Sequence, residues 1–265
     1  MPKALVIRTA GTNCEQEMLR GFALAGAETQ LVHLDALIRD PSRLDGVELV
    51  GLPGGFSYGD DVASGRIMAM HIRRRLADRL RSAVARGTCI LGVCNGFQVL
   101  VQSGLLPGFG SDTGAGRVVG LGANVSGRFQ ARWVGVEFEP ASRCVWTKGL
   151  AEAWTGSERR SVMQLPIAHG EGRFVAGPSV VERLKSGGQV VLRTSVDVNG
   201  SVDRIAGICD PTGRVFGLMP HPERYLEWTR HPAWTALERG GFDRTTPGLR
   251  IFQNAVESVS GVGAG

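Results

Sequence analysis

Three short stretches of this chain combine residue types suited to acyl chemistry. The first is Gly92-Val93-Cys94-Asn95-Gly96, preceded by the apolar run Cys89-Ile90-Leu91 and followed by Val99-Leu100-Val101. A buried strand turning sharply into a helix would put Cys94 at the corner, and flanking glycines let strand and helix approach closely around a strained backbone. A thiol there points out of the sheet, and the N–H groups and positive dipole end of the following helix favour its thiolate. The bland alternative is a small buried residue in a strand-to-helix turn. The second stretch, Gly54-Gly55, ends the run from Val47 to Leu52. One of its unobstructed N–H groups, paired with that of Asn95, would form an oxyanion hole for an acyl group on Cys94. Taken alone it is equally a tight turn.

The third stretch supplies a base. A cysteine nucleophile needs an imidazole within reach and a third group to orient that ring. Of the five histidines, His33 falls in a strand pattern, His71 in the middle of a helix pattern and His231 in an irregular segment, leaving His169 and His221. His221 carries its own acid in His221-Pro222-Glu223. In an extended segment residues two apart face the same side, and the proline between them restricts the backbone. Glu223 is therefore expected to hold the His221 ring and stabilise its imidazolium.

These residues need a scaffold that gathers them. Ala4 to Ile7 reads as a strand, the turn at Gly11-Thr12-Asn13 leads to a helix over 15–25, and Gln30 to Leu34 and Val47 to Leu52 read as the next two strands. A long helix is expected from about Ser64 to Arg86, followed by the strand that carries Cys94. Strands alternating with helices predict an α/β fold with a doubly wound, mostly parallel sheet whose ligands bind at the carboxyl ends of the strands. The glycine loop at 53–60 and the corner at Cys94 would then share a crevice.

Beyond Gly104 the texture changes. Glycines at 108, 110, 114, 116, 120 and 122 punctuate a loop, and Phe129 to Phe138 alternates like an antiparallel strand. Residues 164–173 read as a polar turn. Further strands follow at Val190–Thr194, Ile205–Cys209 and Val215–Met219, and the last delivers His221. Residues 228–247 read as a surface excursion, 247–259 as a final amphipathic helix and the Gly-Val-Gly-Ala-Gly end as a frayed tail. No repeat or linker divides the chain, so one domain over 1–265 is expected.

Composition narrows the classes. The 265 residues suffice for a substantial core. Five scattered cysteines without Cys-x-x-Cys spacing suggest reduced thiols, with neither a disulfide framework nor a metal site. There is no bilayer-spanning run, and a strand follows Met1-Pro2-Lys3 without a signal-peptide pattern, so no membrane association and a cytoplasmic location are expected. The +5 charge is nearly all arginine spread along the chain, with a dense group at Arg73, Arg74, Arg75, Arg79 and Arg81 read as a solvated helix face. No nucleic-acid partner is suggested.

Together the cysteine corner, the double glycine and His-Pro-Glu resemble the class I, triad-type glutamine amidotransferases, which have a flavodoxin-like topology. Leu-Pro-Gly-Gly-Phe-Ser-Tyr-Gly-Asp at 52–60, Pro-Ile-Ala-His-Gly-Glu-Gly-Arg at 166–173, Asn-Gly-Ser at 199–201 and Met-Pro-His-Pro-Glu-Arg at 219–224 are similar to motifs of the glutaminase subunits of phosphoribosylformylglycinamidine synthase. The resemblance runs from residue 4 to about 227 and resumes at 247–259. It implies that Cys94 attacks the glutamine side-chain amide, that His221 shuttles the proton and Glu223 orients it, that Gly54, Gly55 and Asn95 stabilise the oxyanion, and that Gln98, His169 and Glu171 hold glutamine or shape its site.

It also implies partners: an ATP-dependent synthetase subunit that amidates formylglycinamide ribonucleotide, often with a small bridging subunit. No cofactor is expected in this chain, ATP and magnesium belonging to the synthetase. Consistent with that division, the chain has no Gly-x-x-x-x-Gly-Lys-Ser/Thr loop and only three lysines, Lys3, Lys148 and Lys185. Departures from the family pattern are the length of 228–247 and the residues Asp61 and Ala131. Competing readings are an amidotransferase for another acceptor, a cysteine hydrolase or stress-type protein on the same fold, and a non-enzymatic regulator; an altered triad would favour the last, and this one is intact.

Overall fold

The computed structural model describes residues 1–109, 118–153, 161–237 and 245–261. Glycines 110, 114 and 116, residues 238–244 of the expected excursion and most of the glycine-rich tail lie outside them.

The first half alternates as expected: β1 (Lys3–Arg8), α1 (Glu15–Leu24), β2 (Glu28–His33), α2 (Leu34–Arg39), β3 (Leu49–Leu52), α3 (Arg66–Arg75), α4 (Ala77–Ala85), β4 (Cys89–Val93) and α5 (Asn95–Ser103). The second half adds β5 (Val119–Gly122), β6 (Gln130–Phe138), β7 (Gln164–His169), β8 (Arg173–Ala176), α6 (Pro178–Ser186), β9 (Val190–Thr194), β10 (Ile205–Cys209), β11 (Val215–Leu218) and α7 (Pro247–Ser260).

Among the described residues one sheet runs β2-β1-β3-β4-β11-β10-β9-β6-β7. Its first five strands are parallel, in the flavodoxin-like 2-1-3-4-5 order, and the last four extend it antiparallel. The additional antiparallel region is thus mostly an extension of the main sheet, with β5 and β8 as a separate pair. Every residue of β3, β4 and β11 is buried, which explains why these strands read as unbroken apolar runs. Helix α1 packs on α7 through Phe22 and Phe252, whose rings meet edge to face at 5.1 Å. Helix α3 packs on α5.

Two expectations need correction, and one gains a detail. The long helix at 64–86 is two helices, broken at Leu76 (φ −128°), whose side chain is buried while Met68 and Ile72 before it and Leu80 and Val84 after it also face the core. Leu76 is a good helix former, so the break is tertiary in origin. The polar turn at 164–173 is in fact strand β7, a turn at 170–172 and the start of β8; Pro166 is tolerated because β7 is the outermost strand. The described part of the excursion is anchored: His231 is buried against Trp133 and Tyr225, with ring centroids 5.1 and 5.6 Å away. Aromatic contacts across more than ninety residues of chain hold it to β6.

The tightest crossing in the fold is between β3 and α5. A Cβ on Gly96 would stand 1.9 Å from the Leu52 carbonyl oxygen, and one on Gly92 would meet the Gly96 carbonyl at 2.7 Å. Gly96→Ala must therefore spread strand from helix. The expected loss is at least about 2 kcal/mol of unfolding free energy in denaturant titration; an unchanged midpoint would show that the crossing can relax freely.

Candidate active site

Three neighbouring parallel strands, β3, β4 and β11, end on the same crevice, and each delivers one of the stretches singled out above. Cys94 follows β4 with φ +51° and ψ −106°, a conformation disfavoured for any residue with a Cβ. Its own N–H bonds to the Leu218 carbonyl of β11 at 2.8 Å, so the corner is pinned to the neighbouring strand. The side chain is 7 % exposed, and Sγ lies 3.7 Å from the Ala168 carbonyl oxygen. Helix α5 begins at the next residue, so the Asn95 N–H is one of its first-turn donors without an intrahelical acceptor.

The glycine loop closes over this corner. A Cβ on Gly54 would lie 3.5 Å from Cys94 Cβ and 2.8 Å from His221 Cε1, so only glycine leaves room for both. Gly55 has φ +136° and passes so close to Asn13 and Gly11 that a side chain would strike their backbone. The Gly54 carbonyl accepts from the N–H groups of Asn13 and Cys14. Among the described residues no acceptor is recorded for the N–H groups of Gly54 or Gly55.

From β11 comes the turn Pro222–Arg224. His221 Nδ1 and Glu223 Oε1 are 2.6 Å apart and both residues are 2 % exposed. Nε2 has no hydrogen-bond partner among the described residues, which leaves it for Cys94 or a reacting group. Burial alone would lower the His221 pKa, but the facing Glu223 carboxylate, helped by the thiols of Cys14 and Cys94, holds it well above the ordinary histidine value. The turn is buttressed by α7. Thr246 caps that helix by accepting from the Leu249 N–H and also donates to the Tyr225 carbonyl, while a Cβ on Gly248 would be 2.4 Å from the Pro222 and Tyr225 carbonyl oxygens.

The remaining expected residues divide by what their side chains touch. Asn95 is a hub. Its Oδ1 accepts from the Ser57 N–H at 3.3 Å, and its Nδ2 donates to Asp60 Oδ1 at 2.9 Å and to Gln98 Oε1 at 3.1 Å. Gln98 Nε2 donates in turn to the Glu171 carbonyl. The side-chain oxygen and nitrogen of Gln98 are thus both engaged by protein. His169 is also held internally: Nδ1 meets Asn124 Oδ1 at 3.1 Å, and a Cβ on Gly172 would be 2.4 Å from the ring. Burial, reinforced by the charge on His221, pushes the His169 pKa down to about 4. Glu171 is partly exposed and lines an open cleft of about 500 Å³ together with Arg66, Gln98 and Gln102.

Sequence reasoning missed several residues. Asp60, buried enough that its pKa is raised despite bonds from Gly65, Ser64 and Asn95, ties the glycine loop to the elbow. Asn124 fixes His169, and Gly248 lets α7 reach the turn. Cys14, at the carboxyl end of β1, brings a second sulfur to His221 and Glu223; the three side chains present ligand-type atoms within 4.8 Å of one another. Cys14 was legible in principle, since β1 also ends at the crevice.

A thiol at a strained strand-helix corner, an adjacent imidazole-carboxylate pair and converging backbone N–H groups make up a site for acyl transfer from an amide. A family model described as a CobB/CobQ-like glutamine amidotransferase domain matches residues 1–259, and the chain belongs to that family. Its relatives include subunit PurQ of phosphoribosylformylglycinamidine synthase from Dehalococcoides mccartyi, 41 % identical over 96 % of both chains, and from Methanococcus maripaludis, 40 % identical over 97 % of both. A chain in the solved structure of PurLQS from Thermotoga maritima superposes with a TM-score of 0.72 at 34 % identity, covering 97 % of this chain and 99 % of that one. The resemblance read from the motifs is borne out.

Neutral buried His169 has a cost at low pH. Its folded pKa is depressed to about 4, so the unfolded chain binds a proton first as pH falls below about 6.5. Its contribution is fully present above pH 6.5 and lost as pH falls toward 4, on the order of 3 kcal/mol in all. Denaturant titrations between pH 7 and 4 should show a steeper loss in the parent chain than in His169→Gln; equal slopes would mean that His169 takes up its proton as readily folded as unfolded.

Proposed function

We propose that this chain is the glutaminase subunit of a phosphoribosylformylglycinamidine synthase, acting as one catalytic domain with Cys94, His221 and Glu223 as its triad. The observation that carries the reading is the 2.6 Å His221–Glu223 pair buried beside a thiol at a positive-φ corner. That arrangement favours an imidazolium-thiolate pair. The Cys94 thiolate attacks the carboxamide carbon of L-glutamine, and the carbonyl oxygen gains negative charge. The N–H of Asn95 and those of Gly54 and Gly55 are the donors available to stabilise it.

Collapse of the tetrahedral intermediate breaks the C–N bond. His221 gives its proton to the leaving nitrogen, which departs as ammonia and leaves a glutamyl thioester on Cys94. Water then attacks the thioester carbon with His221 as base, releasing glutamate and restoring the thiol. Glu223 keeps the ring oriented throughout and stabilises its charged form. Gln98 and His169, each held by protein partners, shape the pocket. The Glu171 carboxylate, open to the cleft, suits the α-ammonium group of glutamine.

The ammonia goes to an ATP-dependent synthetase subunit that converts formylglycinamide ribonucleotide to formylglycinamidine ribonucleotide in purine biosynthesis. A small bridging subunit suits such an assembly, and the similar solved structure is that of PurLQS. The hydrolysis as written uses only protein groups and water, so ATP and magnesium are assigned to the synthetase. No helix among the described residues is long and apolar enough to cross a membrane, in keeping with a cytoplasmic enzyme.

The test is glutamine hydrolysis by the chain alone and with its synthetase and bridging subunits, formylglycinamide ribonucleotide and ATP. The rate is expected to rise in the assembled enzyme and to fall by about 10⁴-fold or more in Cys94→Ala. Hydrolysis that survives Cys94→Ala would overturn the triad assignment, and a complex that forms amidine from another acceptor would overturn the pathway assignment.

A further inference from the structure

Cys14 brings to the site a second thiol whose chemistry the triad does not use. Its thiol is 1 % exposed, at the mouth of the turn between β1 and α1. Sγ donates to Asn13 Oδ1 at 3.2 Å and accepts from Arg224 Nη2 at 3.1 Å, a contact between residues 210 positions apart. The same sulfur is within 4.8 Å of a His221 ring nitrogen and a Glu223 carboxylate oxygen. It therefore touches a guanidinium and lies close to the carboxylate of the triad.

That placement matters because Glu223 has an unused oxygen. Oε1 is taken by His221, whereas Oε2 is buried with no hydrogen-bond partner among the described residues. Arg224 is the next residue in the chain, half-buried and charged. A free guanidinium beside a buried, unpartnered carboxylate oxygen forms a charge-assisted hydrogen bond with it. In this structure no such bond is present among the described residues, and Nη2 is turned to the sulfur of Cys14 instead.

We infer that Cys14 is a positioning residue of the glutaminase reaction, one that holds the Arg224 guanidinium off Glu223 so that the carboxylate remains available to the His221 imidazolium. The inference rests on the triad reading above. The groups facing His221 are Glu223 on its own turn, Cys94 ahead of α5, Cys14 ahead of α1 and His169 on β7; Arg224 faces Cys14, Glu223 and Glu17 of α1. Only Glu223 and the two thiols favour the charged ring. A guanidinium bonded to Oε2 neutralises the strongest of these supports and adds a positive charge close to the imidazolium. Both effects make His221 lose its proton at lower pH.

The test is the pH profile of glutamine kcat/KM for the assembled enzyme carrying Cys14→Ala, Cys14→Val or Cys14→Ser, and for Cys14→Ala combined with Arg224→Gln. Valine refills the volume without an acceptor, so either apolar variant that folds is decisive. The alkaline limb of the profile is expected to move down by about one pH unit in the apolar variants, with the glutamine KM within about twofold of the parent. Cys14→Ser, which still accepts from Arg224, keeps the parent limb, and the double variant regains most of it because the guanidinium is gone, the remainder being the direct support of the Cys14 thiol; a shift that persists in full in the double variant overturns the inference. An unmoved limb in the apolar variants overturns the inference. So does a loss that is uniform in pH and persists in the double variant, since that is what a packing role produces. Hydrolysis surviving Cys94→Ala would instead sink the triad, whereas an unmoved limb in an enzyme that still needs Cys94 sinks only the role of Cys14.

Discussion

The site is organised around a buried ionic hydrogen bond. Taking an imidazolium and a carboxylate out of water carries a desolvation penalty of several kcal/mol per ion, and close, well-oriented pairing must offset it. The 2.6 Å contact between His221 and Glu223 meets that condition, and much of the surrounding structure can be understood as maintaining it. The cap of α7 fixes the carbonyl of Tyr225, just past the turn. Glycine at 248 admits the helix close enough to do so. Glycine at 54 leaves the ring room against the corner. Across the crevice a second histidine stays neutral, which spares the pair a like charge.

A second layer of organisation runs through the side chain of Asn95. The motif suggested only its backbone N–H. The structure adds an amide that joins the loop after β3, the first turn of α5 and, through Gln98, the turn after β7. Three segments distant in sequence are thereby referenced to one residue that is also next to Cys94. A displacement of the 56–62 loop, where Tyr58, Asp60 and Val62 all have positive φ and Phe56 and Val62 are exposed, is felt at the elbow through two hydrogen bonds.

How much of this the sequence disclosed follows from the range of the interactions. The alternation of strand and helix, the elbow at Cys94 and the local His221–Glu223 pair were legible because each is set within a few residues: apolar runs for strands buried on both faces, glycines where a helix meets a strand, and i, i+2 spacing for the acid. The interruption at Leu76 was not legible, since nothing at that position disfavours helix and the buried residues 68, 72, 76, 80 and 84 keep helical spacing across the break. Nor was the location of His231, which depends on Trp133 and Tyr225. Residues 164–169 misled because their proline, followed by the polar, glycine-containing stretch at 169–173, resembles a turn, and only the position at the sheet margin lets the segment be a strand. Cys14 and Arg224 meet from opposite ends of the chain, and no local pattern announces such a contact.

That margin has another aspect. The outer strand of an open sheet presents unsatisfied backbone groups that invite pairing with a second molecule. In β7 the proline at 166 removes one donor, and its carbonyl is occupied by the His221 N–H at 2.8 Å. The segment that carries His221 thus also occupies part of the edge at which a second molecule could pair. Solubility and reactivity are joined at one peptide group, so damage to this turn should announce itself as aggregation as well as lost turnover.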